Sequence, residues 1–355
     1  MIQHKINIPK INPLLPCLVK KKSICFVNKT FFEEITMNDI AVEITERCFQ
    51  KCKLCYGNFG IKGKEMSLEE IKKIKNQFDS AKVATIHLTG GEPLMHSQIK
   101  NILNFFGESG YRIEMDTNIV LITSEMVELF KKFNVEISIG LETLDRNLYK
   151  WYRGTDSLEN VLEALDLLLQ NDIHFSVQIV CANFIGYKGK KYNAVKNIFQ
   201  LVKYLTAKKI PVYLLQYSFS GRAIESRNMI SDLTKEQKSR LNGLINNLPS
   251  QQRELISGDV LYSPFFEADY YGCAGGLLRA NIKTNGDVYI CNWLRNKIFG
   301  NIFLENLEEI ITRMKKFRLY NLKKLKCRSS LNKCKYERMC LGPCMVSKTY
   351  YKMIK

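Results

Sequence analysis

The stretch CFQKCKLC at residues 48–55 directly follows an apolar run at residues 40–45, so it occupies the loop after a predicted strand. It places Cys48, Cys52 and Cys55 in the spacing C-x3-C-x2-C. Three thiolates on one short loop can bind three irons of a [4Fe–4S] cluster and leave the fourth iron open for chemistry. Structural zinc is the alternative, but it normally takes four protein ligands, and no fourth Cys or His lies close by in the sequence.

A second motif follows the next strand-like run, at residues 83–86, and consists of Gly90, Gly91, Glu92 and Pro93. Alone it is an ordinary turn with a proline stop. After C-x3-C-x2-C, the pair of motifs resembles the radical S-adenosylmethionine (SAM) enzymes. The resemblance implies that the three cysteines ligate the cluster, that SAM chelates the open iron, and that the second motif presents backbone and carboxylate groups to the SAM amino group. It also implies cleavage of SAM to a 5′-deoxyadenosyl radical, which abstracts a hydrogen atom from a substrate.

From residue 40 onward, short apolar runs alternate with helical periods. Strands are predicted near residues 40–45, 83–88, 111–116, 135–140, 174–181 and 210–217, and helices near 67–79, 95–107, 123–132, 158–170 and 192–206. This alternation predicts an α/β fold with a parallel sheet. The pattern does not separate a doubly wound sheet from a barrel, but the family resemblance implies a partial (β/α)6 TIM-like barrel.

Four regions are expected along the chain. They are an N-terminal extension (1–38), the radical SAM partial barrel (39–224), a helical linker (225–258) and a cysteine-rich auxiliary domain (259–355).

Functional groups of such barrels collect where the strands end. The resemblance implies that Thr117 and Asn118 lie beside the SAM ribose and that Asn183 lines the adenine side, although Asp-Thr-Asn is also ordinary turn chemistry. Cys181 is two residues before Asn183 and shares its face of the strand. If that face is the barrel interior, its thiol could return a hydrogen atom to a substrate radical; a buried free cysteine is more often a small hydrophobic residue.

The fourth strand end departs from the family pattern. Similar proteins often carry Ser where this chain has Gly140, and Asp where it has Glu142. The departure removes a hydroxyl, so Ser138 or the backbone compensates, or that SAM contact is absent. Arg153 resembles the Arg of the family's Arg-Gly pair, and the implied partner is the methionine carboxylate of SAM, because a guanidinium fork matches two carboxylate oxygens. A surface arginine in a loop is the alternative.

A second group of cysteines begins with Cys273 and Cys291, which an Asn285-Gly286 hairpin can bring together. It continues with Cys327, Cys334, Cys340 and Cys344. The region resembles the SPASM domain, an auxiliary iron–sulfur domain of radical SAM enzymes, although the last cysteine of the family pattern is missing. Six cysteines complete one four-cysteine site, so one auxiliary cluster is expected, and a second only with a non-cysteine or substrate ligand. A zinc knuckle is the alternative.

The formal net charge of +18 favours acidic partners, although lysines scattered over solvated helix faces would give the same number. The densest basic runs, at residues 20–22 and 315–326, come with no nucleic-acid-binding signature, so no nucleic acid is expected. No apolar run approaches 18 residues, and the first 22 residues do not resemble a signal peptide. A cytoplasmic protein without a membrane partner is therefore predicted.

The predicted function is a radical SAM enzyme acting on a ribosomally made peptide, with an acidic leader that suits the basic charge. The bond made would be a thioether or carbon–carbon crosslink, or a residue would be epimerised. An electron donor such as flavodoxin or ferredoxin is implied. Dehydrogenation or oxidation of a protein side chain or of a small cofactor precursor is the alternative. A non-catalytic iron–sulfur electron carrier and a zinc-dependent nucleic-acid binder are the rivals from other classes, and neither needs the Gly-Gly-Glu-Pro motif.

Overall fold

The structure, a computed structural model, describes residues 36–187, 192–217, 220–258 and 274–324. Outside these ranges it describes only backbone strand segments, which pair Ile11–Asn12 with Tyr270–Tyr271 and Ser23–Ile24 with Lys326–Cys327. No helix in the described ranges is both long and apolar enough to cross a membrane.

Parallel strands alternate with helices, as the sequence predicts. The strands are β1 (Asp39–Thr45), β2 (Thr85–Gly90), β3 (Arg112–Thr117), β4 (Glu136–Gly140), β5 (Phe175–Asn183) and β6 (Val212–Gln216). Each pairs in parallel with the next. The helices are α1 (Leu68–Ser80), α2 (Ile99–Glu108), α3 (Ser124–Phe133), α4 (Arg146–Arg153), α5 (Leu158–Gln170) and α6 (Ala194–Ala207). The arrangement confirms the α/β class and is typical of a partial TIM barrel.

Local signals in the sequence set several of these helix starts. Ser67 caps α1, and its hydroxyl accepts a hydrogen bond from Glu70 N while the Glu70 carboxylate accepts one from Ser67 N. Thr123 caps α3 with a single hydrogen bond, in which its hydroxyl accepts from Met126 N. Helix α4 is not among the helices that the sequence predicts, and Arg153 is a buried residue of this helix rather than the surface arginine in a loop that was the alternative.

The two faces of the sheet differ in polarity. On the helix-packed face, strand residues form the main hydrophobic core; examples are Ile40, Val42, Ile44, Ile86, Leu88, Ile137, Ile139, Val177 and Ile179. On the other face, alternate residues are polar: Glu43, His87, Asp116, Ser138 and Gln178. The sheet therefore turns a polar face, called the lumen below, toward the interior of the partial barrel.

The C-terminal part of the chain extends the same sheet at both edges. Its elements are α7 (Arg222–Glu225), α8 (Lys235–Asn246), α9 (Ser250–Arg253), β7 (Ile256–Gly258), β8 (Arg279–Ile282), β9 (Asp287–Tyr289), β10 (Ile298–Asn301) and α10 (Leu307–Lys324). The strand order is β7-β6-β5-β4-β3-β2-β1-β8-β9-β10, and both β7 and β8 run parallel to their barrel neighbours. The sheet is thus continuous across the expected domain boundaries, which remain a prediction.

The hairpin predicted at Asn285-Gly286 joins β8 to β9, which pair antiparallel. The basic run at residues 315–326 begins inside α10. Arg318 in this run is fully buried, so the run is not a uniform surface patch.

Candidate active site

The cysteine loop lies at the carboxyl end of β1 and is attached to the last turn of α4. Two backbone amides of the loop, those of Lys51 and Lys53, donate to carbonyl oxygens of α4 at 2.9 and 3.0 Å. Cys48 is buried, while Cys52 and Cys55 are half-buried. The unpredicted helix α4 therefore fixes the backbone of the segment that carries the three thiols.

The thiols suit a cluster better than a single ion. Burial raises the pKa of Cys48 to about 12, with Cys52 and Glu92 adding to the shift, and burial also raises the pKa of Cys52. Such thiols stay protonated until a metal centre stabilises the thiolate. Three cysteines in the spacing C-x3-C-x2-C are the donor set that would hold a [4Fe–4S] cluster with one iron left open.

The Gly-Gly-Glu-Pro motif brings the end of β2 against the end of β1. Gly91 N donates to Thr45 O at 2.7 Å, and Glu92 N donates to Arg47 O at 2.8 Å. Gly90 has a φ of +128°, which favours glycine, and a Cβ there would overlap with Thr45 O. The two glycines thus allow the ends of β1 and β2 to come into contact directly before Glu92.

Glu92 is the centre of a buried hydrogen-bond network. Its carboxylate accepts hydrogen bonds from Thr117 Oγ1 at 2.5 Å, Asn118 N at 2.7 Å and Leu94 N at 3.1 Å. Burial raises the pKa of Glu92 to about 7, although these donors oppose the shift. The structure therefore brings together Glu92, Thr117 and Asn118, three residues that the sequence places on two different strand ends.

Glu142 and Arg153 form a buried ion pair with fork geometry. Arg153 Nε and Nη2 donate to the Glu142 carboxylate at 2.7–2.9 Å, and the two side chains are 3% and 10% exposed. Arg153 Nη1 lies 3.6 Å from Cys52 Sγ and 3.5 Å from Gln50 Oε1. The positive charge of Arg153 is therefore held beside a candidate cluster ligand.

Gly140 leaves room for that guanidinium. A Cβ on Gly140 would lie 2.8 Å from Arg153 Nη2. The two departures from the family pattern thus belong together, because the longer Glu142 binds an arginine that occupies the space beside Gly140. Ser138 lies on the lumen face of the same strand, paired in register with Asp116.

Cys181 and Asn183 lie on the helix-packed face rather than in the lumen. Cys181 is fully buried in the main hydrophobic core with Ile179, and its position does not support a hydrogen-donor role. The Asn183 amide exchanges two hydrogen bonds with Gln237 of α8, at 2.8 and 2.9 Å. It also donates to Asp232 O at 3.0 Å.

The auxiliary cysteines are described only at Cys291, which is half-buried directly after the β8–β9 hairpin. The other predicted ligands lie outside the described residues or have undescribed side chains; they are Cys273, Cys327, Cys334, Cys340 and Cys344. Their cluster assignment stays a prediction.

The sequence does not predict a lumen contact between β1 and the segment formed by the β8–β9 hairpin and the residues that follow it, called the auxiliary hairpin below. Glu43 is fully buried, and its Oε1 accepts hydrogen bonds from Tyr289 Oη at 2.5 Å and from Arg295 Nη1. Burial raises the pKa of Glu43, and the charge of Arg295 opposes the shift. The side chain of Tyr56, the residue after Cys55, packs against the same guanidinium: Cζ of Arg295 lies 5.8 Å from the centroid of the Tyr56 ring.

His87 and Asp116 form a second lumen pair, with His87 Nε2 3.1 Å from Asp116 Oδ1. Burial lowers the pKa of His87, but the carboxylates of Asp116 and Glu114 together raise it above its ordinary value. Charged residues at alternate positions of otherwise apolar strands were the available signal for both lumen contacts.

Two family models match the chain. The Radical SAM superfamily model matches residues 42–202, and the SPASM iron-sulfur cluster-binding domain matches residues 273–340. The chain therefore contains a radical SAM domain and a SPASM domain, and it is an enzyme. Its cofactors are a [4Fe–4S] cluster and SAM, with auxiliary iron–sulfur clusters in the SPASM domain.

The relatives differ in the reactions that their names state. AdoMet-dependent heme synthase of Methanosarcina barkeri is 24% identical over 324 residues, covering 85% of this chain and 90% of that protein. GTP 3′,8-cyclase of Marinobacter nauticus is 25% identical over 214 residues, covering 57% of this chain and 60% of that protein. SuiB of Streptococcus suis, solved bound to precursor peptide SuiA, has a TM-score of 0.66 at 20% identity, covering 88% of this chain and 72% of that chain. That likeness shows the fold.

Proposed function

We propose that this enzyme matures a ribosomally synthesised peptide by radical chemistry, through a thioether or carbon–carbon crosslink or an epimerisation. When bound, the cluster and SAM supply the 5′-deoxyadenosyl radical that abstracts the substrate hydrogen atom. In this proposal Cys48, Cys52 and Cys55 ligate the cluster. The residues proposed to bind SAM are Gly90, Gly91, Glu92, Pro93, Thr117, Asn118, Ser138, Gly140, Glu142, Arg153 and Asn183. Asn183 can bind SAM only if its amide gives up its hydrogen bonds to Gln237.

One observation carries the radical chemistry: the ends of separate strands meet in contacts around the cysteine loop. Glu92 from the end of β2 binds Thr117 and Asn118 at the end of β3. Arg153, held by Glu142 after β4, lies against Cys52 Sγ. Glu142 occupies Nε and Nη2 of Arg153, so Nη1 and the Glu92 carboxylate are the charged groups that this proposal offers to the carboxylate and amino groups of SAM.

Three observations support the peptide substrate. SPASM domains are most common in peptide maturases, the fold neighbour SuiB was solved with its precursor peptide, and the net charge of +18 suits an acidic leader. The relatives named heme synthase and GTP cyclase favour a second candidate, the conversion of a small cofactor precursor. Radical dehydrogenation of a protein side chain is the third candidate.

A low-potential electron donor such as flavodoxin or ferredoxin is the proposed redox partner. The proposed location is the cytoplasm, because reducing compartments keep cysteine ligands as thiols.

The chemistry is tested by anaerobic reconstitution, followed by SAM, dithionite and detection of 5′-deoxyadenosine. The control carries Cys48→Ala, Cys52→Ala and Cys55→Ala. We expect the nucleoside from the wild type alone. Its absence from a fully iron-loaded wild type would contradict the enzyme assignment of these cysteines.

The substrate class is tested by coexpression with candidate precursor peptides carrying acidic or charge-neutralised leaders, with mass spectrometry of the peptide. A mass change that depends on the three cysteines supports the peptide proposal. If GTP or a haem precursor, and no peptide, stimulates 5′-deoxyadenosine formation, the small-molecule candidate replaces it.

A further inference from the structure

Arg222, the first residue of α7, binds the cysteine loop through both its backbone and its side chain. Its backbone N donates to Cys55 O at 2.8 Å. Its guanidinium donates to Cys52 O at 3.0 Å, to Phe59 O at 2.7 Å and to Asn58 Oδ1 at 3.0 Å. One residue thus supplies four donors to a single loop segment, and two of the acceptors are carbonyl oxygens of candidate cluster ligands.

The contact joins opposite sides of the partial barrel. The cysteine loop follows β1, whereas Arg222 follows β6, and four strands separate β1 from β6 in the sheet. Gly221 makes the approach possible: its φ is +53°, and a Cβ there would overlap with Cys55 O and Tyr56 O. The loop therefore crosses the carboxyl end of the barrel and is fastened on the far side.

We propose that Arg222 is a positioning residue, which holds the backbone of Cys52 and Cys55 in the conformation in which their thiols would ligate the cluster. A guanidinium suits this task because its five N–H donors lie in a rigid plane and can bind several acceptors at once. Residues that orient metal ligands through such contacts contribute to metal retention without touching the metal. The inference rests on the proposed assignment of Cys48, Cys52 and Cys55 to the cluster.

The test compares anaerobically reconstituted wild type with Arg222→Gln and Arg222→Lys, measuring iron loss to a ferrous chelator. A variant without the loop cysteines (Cys48→Ala, Cys52→Ala, Cys55→Ala), called the cysteine-free loop variant, measures the iron bound outside the loop. That amount is subtracted from the iron of each other protein. Arg227→Gln is the matched control, because Arg227 is exposed and lies just beyond the same short helix.

We expect Arg222→Gln to lose loop iron about 10-fold faster than the wild type. Arg222→Lys should be intermediate, since it keeps the charge but not the fork, and Arg227→Gln should match the wild type. The thermal midpoint and the auxiliary iron should not change, whereas the SAM-induced change in the electron paramagnetic resonance spectrum should be altered. A purely structural role would instead lower the midpoint and release all iron together.

Wild-type iron retention and an unaltered SAM response in Arg222→Gln would overturn the proposal. If that variant does not fold, Gly221→Ala is the second test, because it keeps the arginine but its Cβ displaces α7 from the cysteine loop. Rapid loss of loop iron from Gly221→Ala supports the proposal, and iron retention equal to the wild type overturns it. If the wild type holds no more iron than the cysteine-free loop variant, the cluster assignment itself fails, and the inference fails with it.

Discussion

The guanidinium of Arg153 fills the space beside Gly140: a Cβ on Gly140 would lie 2.8 Å from Arg153 Nη2. The same Nη2 donates to Glu142 at 2.7 Å. A glycine and a long acidic side chain, two departures from the family pattern, therefore act through one arginine.

Gly140→Ser should weaken SAM binding, because the new side chain displaces Arg153 from its position between Glu142 and Cys52. Adding Glu142→Asp should recover part of the loss, since the shorter carboxylate draws the guanidinium away from position 140. SAM affinity, followed through the change in the cluster spectrum, is the measurement. Equal SAM affinity in Gly140→Ser and the wild type would show that the space beside Gly140 is not needed.

Glu142→Gln should destabilise the protein by about 3–5 kcal/mol, because it leaves the buried Arg153 without its counter-charge. Denaturant unfolding measures the change in the free energy of unfolding. Asp156→Asn, which removes the partner of Arg146 in an exposed pair, is the control and should have little effect. The prediction is wrong if both variants unfold at the same denaturant concentration as the wild type.

Glu92 should make stability depend on pH. Its folded-state pKa of about 7 lies above the ordinary value of 4.5, so the unfolded chain releases this proton first. Its contribution to the free energy of unfolding is therefore fully present below about pH 4.5 and falls by about 3 kcal/mol as the pH rises to about 7. Unfolding without SAM is measured across this range for the wild type and Glu92→Gln, and the fall in stability should be smaller in the variant by this amount, because the other buried titratable groups are the same in both proteins.

The same group should make SAM binding depend on pH, because the ionised Glu92 carboxylate is the better acceptor for the SAM amino group. Affinity should rise as the pH increases through about 7 and level off above it. Glu92→Gln should bind SAM weakly without this dependence. A parallel pH profile in the variant would assign the titration to another group.

Arg295→Gln should destabilise the contact between the auxiliary hairpin and the barrel, because Glu43 is fully buried and Arg295 is its charged partner. The expected loss is about 3–5 kcal/mol, measured by denaturant unfolding, with faster amide hydrogen exchange in β8 and β9. The double variant Glu43→Met/Arg295→Met should recover most of it, because it buries no unpaired charge. If the double variant is as unstable as the single one, lost packing rather than charge is the cause.

The local patterns of the sequence predict the six parallel strands β1 to β6 and five of the six helices α1 to α6. Each predicted strand overlaps an observed one, because β-branched runs and polar turns act over a few residues. The capping residues Ser67 and Thr123 fixed helix starts for the same reason. Helix α4 was missed because its residues were interpreted through a motif rather than through their periodicity.

The face on which a residue lies was harder to predict. The alternation of β5 puts Cys181 and Asn183 on one face, but it does not say whether that face is the lumen or the helix-packed side. The packing of α6 and α8 decides this, and it puts Cys181 in the core and Asn183 against Gln237.

Sequence patterns alone predict the α/β alternation, the cysteine loop and the Gly-Gly-Glu-Pro turn, because each depends on residues only a few positions apart. The groups that meet around the cysteines are visible only in the folded chain. Glu43 and Arg295 are 252 residues apart, Arg222 and Cys52 are 170 apart, and Arg153 and Cys52 are 101 apart. No local pattern encodes such contacts, because they form only when the parallel sheet brings the carboxyl ends of its strands together.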